Sequence, residues 1–250
     1  MRKYILLTLV SICVTSFAQV VSQERIQQIY EASRTPYKYG MVIAPSSNFN
    51  KYDCPTVFRQ DDKWYMSFVC YDGKDGTDGR GYETWLALSD DLLHWQILGR
   101  ILSLPDNPIS SLWDKNQRGG FPALIDYTWD GSYEMQSFKG RHWLTYIGGP
   151  GTGYEAVNAP LSIGIASTKG DISIPHQWNT KKKPLMSYND KDAQWWEYLT
   201  QYKSTIYWMK DKKHRIKGKE NILLSCSIMR VEKMTHIPRE SVLALPFPRT

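Results

Sequence analysis

"DCPTVFRQDDKWYMSFVC", residues 53–70, sets the fold of the whole chain. Two runs rich in β-branched and aromatic residues, 55–59 and 64–70, flank a polar turn at 60–63. That pattern predicts a β-hairpin. A third run, "ETWLALS" (83–89), follows a Gly/Asp-rich loop, and "DDLLHWQILGRIL" (90–102) supplies a turn and a fourth strand. Four consecutive strands of this length make one antiparallel sheet.

The pattern returns downstream. "RHWLTY" (141–146) matches "KWYMSF" (63–68), and "SIGIAS" (162–167) matches "TWLALS" (84–89), both at an offset of 78 residues. "FPALI" (121–125) matches "CPTVF" (54–58) at 67, and "HQW" (176–178) stands where "LHW" (93–95) stood. Two separate segments sharing one offset identify a structural repeat. A third unit begins at "YKSTIYW" (202–208). The fold class expected is all-β: a propeller of four-stranded antiparallel blades, of which this chain holds about two and a half.

After Trp208 the character changes. Only Phe247, of 33 aromatic residues, falls in the last 42 positions. Reading the codons for 222–234 from their third base permits "PFVMFYNAGGKN", and the same frame over 239–248 permits "RERIGIALS". These would be the two strands the third unit lacks. The expectation is therefore a frame change between about 209 and 221, leaving 209–250 as a basic, disordered, out-of-frame tail. An open arc of blades exposes apolar faces and unpaired strand edges, so an inactive truncated product is one reading of this chain.

Charge excludes one class of partner. Residues 209–250 hold ten Lys/Arg and four Asp/Glu, which accounts for the whole net charge of +6. The body carries no basic field, so nucleic acid is not expected. The N-terminus "MRKYILLTLVSICVTSFAQ" has a basic start, a short apolar run and small residues at Ser16 and Ala18. It reads as a signal peptide over 1–18, giving a periplasmic or secreted protein. Bulky Ile12 before Cys13 argues against a lipoprotein, and no apolar run suits a stable membrane span. Cys54 and Cys70 flank the hairpin and fit either a disulfide or two buried thiols. The five histidines and the cysteines show no ligand spacing, so no metal and no cofactor is expected. Nothing in the sequence sets the oligomeric state.

"YDCPTVFRQDDKWYMSFVCYDG" with "WLALSDDLLHWQILGRIL" resembles the five-bladed β-propeller glycosidases of glycoside hydrolase families 43, 32 and their relatives. Asp53-Cys54-Pro55 stands for the strand that opens the family's first blade. Ser89 to Trp95 stands for the Ser-x-Asp-Leu-x-x-Trp turn that closes it. The likeness covers about residues 40–208, within a domain running 19–208. It implies a funnel where carboxylates from successive blades meet around a carbohydrate substrate. One carboxylate acts as base or nucleophile and another as general acid, because an acetal breaks through an oxocarbenium-like state.

On that resemblance Asp53 is the base or nucleophile; its alternative is a strand-cap aspartate. The position matching Asp53 in the second unit is Gly120, so the candidates there are Asp114, reaching in from the loop, and Arg118 as a substrate ligand. A solvated loop is the alternative for both. Glu197, in "QWWEYLTQYKS", is the candidate general acid, with Trp195 and Trp196 as sugar-stacking or core residues. Lys203, matched to Cys54, is a further inner-strand position. "GGPGTGYE" (148–155) lies between strands and lacks the helix of a phosphate loop, so it reads as a blade loop. A non-catalytic carbohydrate-binding propeller is the alternative to an enzyme.

Overall fold

The computed structural model describes residues 21–34, 40–46, 50–73, 79–107, 109–127, 131–154, 160–195, 197, 200–208, 222–229 and 241–244. The signal segment and Trp196 lie outside these residues. Two compact units are present, 1–40 and 41–250. In the first, helix α1 (Gln23–Ser33) starts at Ser22, whose hydroxyl caps the Arg25 N–H at 3.2 Å.

The second unit holds the sheets. Strands β1 (Lys51–Gln60), β2 (Lys63–Tyr71), β3 (Tyr82–Ser89) and β4 (Gln96–Leu102) form one sheet in that order. Strands β5 (Gln117–Pro122), β6 (His142–Gly149), β7 (Ser162–Thr168) and β8 (Asn179–Thr180) form the next. Strand β9 (Gln201–Trp208) pairs with β10 (Ile222–Met229), and β10 with β11 (Ser241–Ala244). All neighbours are antiparallel and consecutive, the meander of propeller blades. β10 and β11 fall on the residues where the shifted frame would also encode strands.

Local chemistry accounts for the first blade's turns. Asp61 and Asp62 both take positive φ (49° and 60°), the two left-handed residues of a tight hairpin turn. Ser89 Oγ accepts the N–H groups of Asp91 and Leu92, while Asp91 Oδ1 accepts those of Leu93 and His94. Trp95 Nε1 then donates to the Leu92 carbonyl at 2.9 Å. Serine, aspartate and tryptophan at that spacing saturate the turn, which is why the motif is legible.

Blades stack face to face. Residues of alternate parity on β2 point oppositely: Tyr65 joins Leu86, Leu144, Tyr146 and Ala166 between blades one and two, while Met66 and Phe68 pack with Ala87 on the far face. Across the second interface Thr145 Oγ1 donates to the Ser204 carbonyl, and Ala123, Leu124 and Ile206 close together. Val69, Tyr71, Tyr82, Ile147, Leu161 and Ile163 converge at the hub, with Cys54, Tyr154 and Tyr202 against them.

Two registers differ from the sequence alignment. β6 matches β2 at 78, and Asp53 pairs with Val69 while Gly119 pairs with Ile147, so Gly119, not Gly120, takes the place of Asp53. The likeness of "FPALI" to "CPTVF" runs two residues too far along β5, because Thr56 pairs with Ser67 where Phe121 pairs with Thr145. One of the two is taken back by the bulge in β1 between Asp53 and Thr56, where Cys54 has φ 50°. β5 runs through 117–122 without one. β9 repeats the bulge: Gln201 pairs with Ile228 and Ser204 with Cys226. Gln201 therefore matches Asp53, and Tyr202 rather than Lys203 matches Cys54.

Candidate functional site

Asp53 sits just before the β1 bulge, half-buried. Its Oδ1 accepts the Cys54 N–H at 2.6 Å and its Oδ2 accepts the Tyr154 hydroxyl at 3.0 Å. The backbone contact is the strand-cap bond that the alternative reading anticipated; the tyrosine contact is not local in sequence. Around it, Tyr71, Tyr82 and Tyr154 pack edge to face with centroids 5.3 to 6.1 Å apart. Lys51 Nζ lies 5.3 Å from the Tyr71 ring centroid and donates to the Gly73 carbonyl. The result is a carboxylate on an aromatic wall, with a cation two residues away on the same strand face.

Glu197 occupies the turn that leads into β9 and is 6% exposed. Its Oε2 accepts the Gln194 N–H at 2.7 Å, and its own N–H donates back to the Gln194 carbonyl. That reciprocal pair fixes the turn. Trp195 is 63% exposed. Asp53 stands near the head of β1 and Glu197 in the turn before β9; Cys54 and Tyr202, on those two strands, both pack against the Val69 cluster.

Asp114 and Arg118 are brought together, but not in a solvated loop. Asp114 is 2% exposed; its Oδ1 meets Arg118 Nη2 at 3.0 Å and its Oδ2 accepts the Tyr146 hydroxyl at 2.9 Å. Arg118 also donates to the Ser103 carbonyl at 2.7 Å, tying blade two to blade one. Trp113 stacks on Tyr146 at 5.6 Å. Burial, then the Asp114 charge, push the Tyr146 phenol well above its usual range. Asp114 Oδ1 is taken by Arg118 and Oδ2 by Tyr146, and the Arg118 guanidinium is turned to protein partners. The i, i+4 spacing was visible in the sequence; the burial was not.

Cys54 packs with the Val69 cluster, whereas Cys70, next in sequence to Val69, points to the opposite face. A bond between them is ruled out by that geometry. Burial pushes the Cys70 thiol up to about 11, so it is inert rather than nucleophilic.

Among the described residues no three His, Cys, Asp or Glu side chains group as a metal site, and no helix is long and apolar enough to cross a membrane. Sequence reasoning missed Tyr154 and Gln201. Tyr154 lay in a glycine-rich segment read as a loop, and Gln201 was one residue outside the matched run.

No protein-family model and no curated protein matches the sequence. Solved structures do. The chain is 61% identical to a protein in a structure described as a BT0996 RGII complex, over 84% of this chain and 57% of that one, with a TM-score of 0.75. It is 55% identical to a second, described as a glycoside hydrolase, over 92% of this chain and 66% of that one, at 0.72. The chain thus spans somewhat more than half of one relative and about two thirds of the other.

Proposed function

We propose that this chain, a relative of glycoside hydrolases, carries residues of a catalytic hub that hydrolyses glycosidic bonds of a polysaccharide or oligosaccharide. The observation that carries the reading is Asp53: a half-buried carboxylate held at both oxygens, on a bulge, against an aromatic wall. Asp53 serves as base or nucleophile and Glu197 as general acid, on opposite sides of the scissile bond. Exposed Trp195 offers its ring to a sugar face. Asp114 and Arg118 support the hub from between the blades. Residues 1–18 direct export, and the RGII of the relative's complex is the first substrate to try.

The test is release of sugar from an RGII saccharide. Asp53→Asn and Glu197→Gln should each lower kcat/KM about 100- to 10,000-fold, the usual worth of a positioned acid or base. Full activity in either variant removes that residue from the mechanism. A second reading, a non-catalytic binding propeller, is favoured by the glycine that blade two places at the Asp53 position. It requires saccharide binding without sugar release, with Glu197→Gln leaving affinity intact.

A further inference from the structure

We propose that Tyr154 is a positioning residue for Asp53, its hydroxyl fixing the plane of the carboxylate at the hub; this rests on Asp53 acting as base or nucleophile. Attack at an anomeric carbon, directly or through water, needs an oxygen lone pair aimed along one line. A lone aspartate at the head of a strand turns about its χ angles. Here one donor sits on each oxygen: the Cys54 N–H on Oδ1 and the Tyr154 hydroxyl on Oδ2. The first is built into β1 itself. The second arrives from blade two, 101 residues later.

Residues 150–153, which lead into Tyr154, are anchored at several points. Asn116 Nδ2 donates to the Pro150 carbonyl at 2.6 Å. The fully buried Gln117 amide donates to the carbonyls of Gly151 and Gly153, and its oxygen accepts the Tyr82 N–H. Gly153 N–H reaches the Arg80 carbonyl, and Arg80 is itself held by Asn116, Pro105 and Lys115. Gly153 takes φ 97°, a conformation that side chains rarely adopt, and so turns the next residue toward the hub. Packing of the Tyr154 ring edge-on against Tyr71 and Tyr82 then leaves the hydroxyl one direction to point. A loop tied this tightly presents its side chain with the precision that an oriented carboxylate requires. Blade two lacks a carboxylate at Gly119 and contributes this hydroxyl in its place.

Tyr154→Phe keeps the ring and removes only the donor. A crystal structure of the variant should show the Asp53 carboxylate rotated out of its present plane; an unmoved carboxylate overturns the proposal. With an RGII saccharide, the variant should lose about 10- to 100-fold in kcat with KM within about twofold, the scale expected when a reacting group is misplaced. In an Asp53→Ala background, the residual or azide-restored rate should change less than about twofold on adding Tyr154→Phe. Equal losses in both backgrounds would mean that Tyr154 only supports the fold. If Asp53→Ala costs no activity, or the saccharide is not cleaved at all, the catalytic reading fails by itself, and the crystal structure still decides whether Tyr154 orients the carboxylate.

Discussion

β1 and β5 open neighbouring sheets of the same design, yet they treat their charges in opposite ways. β1 bulges at Cys54 and holds Asp53 half-buried beside the hub. β5 pairs straight through six residues, puts Gly119 at the matching place, and carries its blade's carboxylate, Asp114, into the interblade core. A bulge re-aims a side chain at the cost of ladder bonds; an unbroken ladder keeps the strand for packing. One sheet is thus shaped to present a group and the other to support it.

The widest gap between the two should appear in stability. Asp114→Ala leaves the Tyr146 hydroxyl without its acceptor and the partly buried Arg118 guanidinium with only the Ser103 carbonyl, and should cost about 3 kcal/mol in urea unfolding. Asp53→Ala removes two hydrogen bonds at a half-exposed site and should cost about 1 kcal/mol. Equal costs would erase the distinction between presenting and supporting strands. β9 provides a finer cut, since it repeats the β1 bulge but places Gln201 there, with both side-chain amide atoms buried and unpartnered among the described residues. Gln117 on β5, equally buried, makes three hydrogen bonds. Gln201→Met should therefore raise stability by about 1 kcal/mol, where Gln117→Met lowers it; a loss at Gln201 would show that its amide has partners in solution.

The smallest effect belongs to the turn that closes blade one. Hydrogen bonds from the His94 side chain, then from the His94 and Leu93 N–H groups, hold the Asp91 carboxyl far below the ordinary range. A carboxylate whose pKa falls on folding adds stability above its unfolded value of about 4 and loses that contribution as pH drops toward the folded value. The difference in Tm between wild type and Asp91→Asn should accordingly shrink as pH falls below about 4. A difference that grows on acidification would contradict the assigned hydrogen bonds.

Much of this organisation was legible beforehand. Alternation and the Asp61-Asp62 turn marked the first hairpin because strand pleat and turn sterics act within a few residues. The Ser89–Trp95 motif was readable for the same reason, its bonds all spanning three residues or fewer. The register at the hub was not. Likeness of "CPTVF" to "FPALI" set Thr56 against Ala123 instead of Phe121, and the one-residue bulge of β1 offset only half of that slip, so Asp53 fell against Gly120 instead of Gly119. Burial of Asp114 depended on Tyr146, 32 positions away, and on Gly148 and Gly164, where an added Cβ would meet the Trp113 and Tyr146 rings.

The sequence by itself determined the repeat, the strand order and the carboxylates worth testing, since each follows from periodicity and side-chain chemistry along a short stretch of chain. Only the tertiary structure decided which acid faces the hub and which is locked between blades. It also brought Tyr154 to Asp53. Those outcomes depend on contacts between sheets, whose partners are set by packing distance and not by distance along the chain.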